Sequence, residues 1–438
     1  MSLPNVNEVI KDGGLGVISA ASAGVFGIEG NASMGTVETP YAIGDPATAE
    51  DTFEAGTLLE RILDAFANGA IRIIAVRTDA TGGTATDKGT PTADTGNTST
   101  GTVDTTGTPK NDRDIKLVIT DGGVDGSLAA GGVKIKISKN GGLSYEDEIS
   151  LGASSPQSVD LGNGTGVTLT DNVTPAGSFV ENDFWTWSCT EAKPTTQKKL
   201  DAIEKLAENN EISWIHVTDA TDETFWASLS TLNATIKAGH KYIWFLAESD
   251  RPSGAETTAE WVTSLETASA SFFDSDVCIS AGWGLLTDKN GDSLIRNGAA
   301  IMSGLFAGAD VNECIGHVGG FKINNMLSLY PTDLTEALIE SLDVARYATF
   351  RFWPGHGYRV TDDRAMASLT SDFQRVRHTR TLYKAVKLAR TAALPFVNAV
   401  ASESGLIALQ KACETPLDRM KSDGEIEGYT VVIPAGQD

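Results

Sequence analysis

The sequence predicts an α+β multidomain protein: an α/β core with a parallel or mixed sheet, an inserted antiparallel β domain, and a C-terminal α+β domain. Three observations predict it. Helical and strand-like segments alternate in two separated stretches, 17–78 and 194–345, as they do when helices cover a sheet. Between them the hydrophobic period falls to two. From about Tyr347 a polar turn, FWPGHGYRVTDD, leads into a long basic helix.

The first clear unit is GTLLERILDAFANGAIRIIAVR. Leu58, Leu59, Ile62, Leu63 and Phe66 recur at helical spacing, and Gly69 stands where a glycine ends a helix. Ile71 to Val76 then form a run suited to a buried strand. Residues 79–113 are mostly Thr, Gly and Asp, a composition too poor in apolar surface for a core, and are expected to be a linker or long surface loop. Residues 114–193 read as the inserted β domain: DIKLVIT, VKIKIS, YEDEISL, VTLTD and DFWTWSC, divided by Gly, Asn and Asp turns. Alternation then resumes with KKLDAIEKLAEN (helix), ISWIHVT (strand), DETFWASLSTLNATIKAG (helix ending at Gly239), KYIWFLAE (strand), TTAEWVTSLETASASFF (helix) and DVCISAG (strand). The strand near residue 74 is expected in the same sheet, which makes the α/β domain discontinuous. Residues 346–427 form the C-terminal domain, broken at Pro395 between two helices. Residues 1–16 and 428–438 are set off as terminal arms.

The 438 residues carry a formal charge of −24. That balance opposes nucleic-acid binding, which needs Lys and Arg in excess, and favours partners with basic patches. No apolar run is long enough to span a bilayer, so no membrane insertion is expected. MSLPNVNEVIKDGG has no basic flank before an apolar core, hence no secretory signal. Cys189, Cys278, Cys314 and Cys413 are scattered with no CxxC pair, and read as buried thiols of a reducing compartment.

A search for chemistry finds no GxxxxGK[ST], HExxH or GxSxG. GNGTGV (162–167) reads as a hairpin turn, and DKNGD (288–292) lacks the twelfth-position Glu of a calcium loop. The enzymatic alternative rests on carboxylates beyond the strand ends, Asp219, Glu248 and Asp250. Against it, Asp219 is expected to cap the next helix and Asp250 to open a turn before Pro252. His216 reads as a core residue, and His317 and His356 have no partner visible in sequence. No catalytic residue, metal or cofactor is expected.

FQRVRHTRTLYKAVKLAR (373–390) concentrates positive charge in an acidic chain. Arg377, Arg380, Lys384 and Lys387 share one helical face, opposite Val376, Leu382, Tyr383, Val386 and Ala389. Such a stripe suits self-association against an acidic surface of another copy. At the C-terminus, Tyr429, Thr430, Val431, Val432 and Ile433 form a short strand-like segment between glycine and Pro434, able to pair internally or to extend a neighbour's sheet. LPNVNEVI is a comparable segment at the other end. Two detachable arms suit a repeating lattice.

Three regions resemble contractile tail sheath proteins of myophages, R-type pyocins and related injection machines. They are AGVFGIEGNASMGTVETPYAI with AGTLLERILDAFANGAIRIIAVR; NGAAIMSGLFAGADVNECIGHVGG; and FWPGHGYRVTDDRAMASLTSDFQRVRHTRTLYKAVKLARTAALPFVNAV with PLDRMKSDGEIEGYTVVI. The resemblance covers about half the chain and implies a structural subunit, not an enzyme. Such subunits stack as rings around a tail tube between baseplate and terminator, then compress to drive the tube through a cell envelope. It also implies arms that add strands to neighbouring subunits: Gly428 to Ile433, and a segment within Leu3 to Gly16. The basic helix is implied to face the tube or the next subunit. The implied location is a virion tail or tailocin particle, assembled in the bacterial host cytoplasm. The alternatives are another tail component or a surface adhesin that binds through the β insertion.

Overall fold

The structure is a computed structural model and describes residues 24–254, 256–398 and 402–433. The N-terminal arm expected within residues 1–16 lies outside them. The chain begins β1 (Phe26–Gly30), β2 (Pro40–Ile43), α1 (Pro46–Phe53), α2 (Thr57–Ala67) and β3 (Ile73–Arg77). An excursion follows through β4 (Thr92–Ala93), β5 (Thr102–Gly107), β6 (Arg113–Gly122), β7 (Val133–Ser138), β8 (Ile149–Ser150), β9 (Gln157–Asp160), β10 (Thr165–Thr170) and β11 (Phe184–Cys189). The chain returns as α3 (Thr196–Ala207), β12 (Trp214–Ala220), α4 (Glu223–Ala238), β13 (Trp244–Glu248), α5 (Thr258–Ser269) and β14 (Val277–Ser280). Next come β15 (Trp283–Thr287), β16 (Ser293–Asn297), α6 (Ala299–Gly308), β17 (Met326–Tyr330), α7 (Glu336–Val344), β18 (Phe350–Trp353) and β19 (Gly357–Val360). The last helices are α8 (Val376–Ala393) and α9 (Glu403–Ser422), joined through a short 3-10 turn at Leu394–Phe396.

The central sheet has the order β14-β13-β12-β1-β3-β2. All its pairings are parallel except β2 with β3. Both faces are covered, so its strands are apolar on both sides, as parallel strands must be. One face gathers Phe26, Ile28, Trp214, Trp244 and Leu246 with α1, α2, α6 and α8. The other gathers Ile74, Val76, Ile215, Val217 and Phe245 with residues of α3, α4, α5 and α7. Register places Trp214 opposite Trp244. Phe26, Trp214 and Trp244 stack across three strands, with centroids 5.2 and 5.4 Å apart, and Phe306 of α6 meets Trp244 edge-on at 5.1 Å.

Local signals explain the helix ends. α2 ends at Asn68, and Gly69 turns away with φ +110°. α5 opens on a capping box of Thr257 and Glu260. α4 is capped by Asp222, which accepts from the Phe225 N–H at 2.8 Å. The expected cap, Asp219, is instead the residue with φ +62° at the strand end.

The excursion is a two-sheet β unit, with orders β5-β10-β9 and β4-β11-β6-β7-β8, around its own core of Leu117, Ile119, Ile135, Ile137, Leu169, Phe179, Trp185 and others. Residues 79–113 are not a linker: β4 pairs with β11, and β5 pairs with β10 along its full length. Threonine is β-branched and fits a half-buried strand. In β5 only Val103 and Thr105 need to point inward. The boundary expected at 346 also moves. Ala348 and Met366 both hydrogen-bond to β14, so this stretch completes the edge of the central sheet before α8 begins.

Candidate functional site

α8 lies on the core through Val376 and Tyr383, flanked by the half-buried Leu382 and Val386. The Tyr383 hydroxyl donates to Asp276, which also accepts from Asn233 Nδ2 at 2.7 Å and pairs with Lys237. No side chain at Arg375 caps the helix. Asp363 does so from a distant turn: its carbonyl accepts the Val376 N–H at 2.8 Å and its carboxylate the Arg377 N–H at 2.9 Å.

The four basic residues expected on an outward stripe are turned toward the chain itself. Arg377 Nη1 sits 2.8 Å from Asp363 Oδ1. Arg380 is 5% exposed and caps the end of α6, donating to the carbonyls of Phe306 (2.9 Å), Ala309 (3.1 Å) and Asp310 (3.2 Å). Burial pulls its pKa down to about 10. Lys384 pairs with Glu425, whose side chain is 1% exposed. Lys387 donates to the Ile212 carbonyl at 3.2 Å. The partners are backbone carbonyls and acids remote in sequence, and the helical wheel contains none of them. Lys384 and Lys387 are half-buried and line a groove of about 510 Å³ with Arg72, Tyr242, Trp244 and Leu388.

Beyond Glu425 the chain runs to Ile433 without helix or strand. Among the described residues, 426–433 make no backbone–backbone hydrogen bond. Tyr429 touches α9 through Asp418, at 2.5 Å, while Val432 is 75% exposed. Tyr429 to Ile433 thus keep the composition of a strand without strand pairing among the described residues.

The carboxylates of the enzymatic alternative line one cleft of about 450 Å³ between the β unit and the central sheet. Glu248 is fully buried and bidentate with Arg61 (2.6 and 2.9 Å), and His216 Nε2 lies 3.1 Å away. Burial works to raise the Glu248 pKa, but Arg61 and His216 hold it below the usual value. Asp219 is 2.6 Å from Lys193 and is likewise held low against its burial. Asp250 is raised by burial and by Asp222 and Glu256. Cys314, Asp362 and Asp363 form a cluster that sequence spacing does not reveal. Arg375 and Arg377 already neutralise its two carboxylates at 2.8 Å each, and burial pushes the Cys314 thiol up to about 12. That charge balance suits a helix cap better than a cation.

Residues 3–364 match the model of the DUF2586 N-terminal domain, and residues 372–438 match that of the DUF2586 C-terminal domain. The chain belongs to the DUF2586 family. No curated protein matches it in sequence. Solved structures match over nearly its whole length. The sheath tail protein of Desulfitobacterium hafniense is 17% identical, with a TM-score of 0.51 over 95% of this chain and 89% of that one. The sheath tail protein of Listeria innocua is 13% identical, with a TM-score of 0.52 over 94% and 88%. The contracted PVC sheath of an extracellular contractile injection system is 11% identical, with a TM-score of 0.52 over 98% and 85%. This DUF2586 chain therefore has the fold of sheath tail proteins, α+β and multidomain.

Proposed function

We propose that this DUF2586 chain is the structural subunit of a contractile tail sheath, which polymerises around a tail tube and contracts to drive the tube through a cell envelope. The observation that carries this reading is the likeness to sheath folds along almost the entire chain. Segment 426–433, whose backbone pairs with none of the described residues, supports it, because a stretch with open backbone groups is suited to adding a strand to a second copy. Its partners are other copies of itself, a tube protein, and baseplate and terminator proteins, in a tail or tailocin particle. Of the basic stripe, Arg380 is buried within the chain, while Arg377, Lys384 and Lys387, each already engaged internally, keep a half-buried surface for a neighbour or the tube to cover. The subunit is not an enzyme on this reading: Glu248 and Asp219 each sit in an ion pair that holds them ionised. Motion draws on bistable packing between subunits rather than on bond chemistry. Negative-stain microscopy of the concentrated protein tests the proposal. Rings, tubes or longer polymers are expected, and single particles at every concentration and salt would overturn it.

A further inference from the structure

The β unit leaves and rejoins the body through a two-stranded neck. Thr84 and Lys193 exchange backbone hydrogen bonds of 3.0 and 2.9 Å, and Asp87 and Thr190 exchange a second pair. Its apolar core is separate from the two cores of the body. Charges fasten it. Lys110 meets Glu54 at the end of α1 at 2.8 Å, and Arg113 meets Glu60 of α2 at 2.7 Å. Arg251 beyond β13 meets Asp114 at 2.6 Å, Lys139 meets Asp292 in the β15–β16 turn at 2.9 Å, and Lys193 meets Asp219 at 2.6 Å. Four of these five pairs set a cation of the β unit against an acid of the body. Two clefts flank the contact. One is the 450 Å³ space over the strand ends; the other, of about 530 Å³, lies between α1, α2 and the loops at Asn111 and Gly162.

Units joined by a polar, incompletely packed interface move relative to one another, whereas a large apolar interface locks them. Lys110–Glu54, with side chains 38% and 49% exposed, and Arg251–Asp114, at 36% and 19%, weaken as salt screens them, since the Debye length falls from about 30 Å at 0.01 M to about 3 Å at 1 M; the largely buried Arg113–Glu60 pair is screened far less. The geometry points to a salt-loosened joint: the β unit is a separate rigid body that these ion pairs hold against the α/β body, and it swings more widely on its neck when the exposed pairs among them are screened.

The inference concerns the single subunit and holds or fails independently of assembly. Spin labels at Thr106→Cys on β5 and Thr263→Cys on α5, both exposed, in a Cys314→Ser background, report the distance between the two bodies by pulsed electron resonance. One narrow distance is expected at about 0.01 M salt, and a distribution at least about twofold wider at about 1 M. The triple variant Glu54→Gln, Glu60→Gln, Asp292→Asn is expected to be wide at both. Equal widths for the parent chain at low and high salt would overturn the joint, and that salt series decides alone if the variant does not fold.

Discussion

Lys384 of α8 reaches across the helical hairpin to Glu425, the last buried side chain before the C-terminal segment. The contact fixes where that segment departs. Up to Glu425, whose N–H donates to the Met420 carbonyl at 2.6 Å, the backbone is paired; beyond it, among the described residues, it is not.

Removing residues 428–438 should therefore leave the fold intact and abolish polymerisation. The melting temperature is expected to stay within about 2 °C of the parent, since among the described residues no backbone pair is lost and the Tyr429–Asp418 hydrogen bond that goes is exposed. Calorimetry beside microscopy checks both halves; a truncated chain that unfolds would make the segment an internal strand.

Arg380→Met should read as a stability defect. It strips the donors from three helix-end carbonyls in a buried site, at a cost of about 2–4 kcal/mol. Its place on a basic face suggested a part in self-association instead. A chemical denaturation series separates the two, because a midpoint unchanged from the parent contradicts the capping role.

Glu29 links stability to pH. It is fully buried, accepts from the Thr78 hydroxyl at 2.7 Å and the Thr218 N–H at 3.0 Å, and burial raises its pKa from 4.5 to about 7. The folded state thus holds this proton more tightly than the unfolded chain does. Its contribution is largest below about pH 4.5 and is lost as pH rises toward about 7, an effect of at most about 3 kcal/mol. Glu29→Gln should flatten the profile between those limits. Unfolding free energies at pH 5 and 7.5 measure it, and parallel profiles for the two proteins would be the contrary result.

Two glycines of α6 should behave oppositely. A Cβ at Gly304 would lie 2.4 Å from the Ala65 carbonyl oxygen of α2, so Gly304→Ala forces the two helices apart, at a cost of about 2–3 kcal/mol. At Gly308 no described residue lies within 4 Å of an added Cβ, and Gly308→Ala should be neutral or stabilising by up to about 1 kcal/mol. Paired thermal melts provide the comparison.

Much of the succession of strands and helices in the α/β body was legible because its signals are local. The period of α2, Gly69 after it and the apolar runs of β3, β12 and β13 need no tertiary information. What escaped was set by distance in sequence. Threonines of 79–113 look like a linker until β10 and β11 supply the other half of their pairing. Arg380 looks like a surface cation until α6 places its carbonyls beneath it. Asp363 and Glu425 carry no motif, yet they define the start of α8 and the root of the C-terminal segment. Sequence also placed the helix cap at Asp219, three residues early, because Asp219 closes the strand that Asp222 follows.

The neck of the β unit has a consequence for variation. Its two strands enter and leave side by side, with Thr84 facing Lys193, so the central sheet sees only a closed loop at that point. A reporter domain, an epitope or a bare hairpin spliced between them would present the same two ends to the host sheet. A replacement keeps those two ends in place but must also supply cations for Glu60 and Asp292, which Arg113 and Lys139 of the β unit now meet.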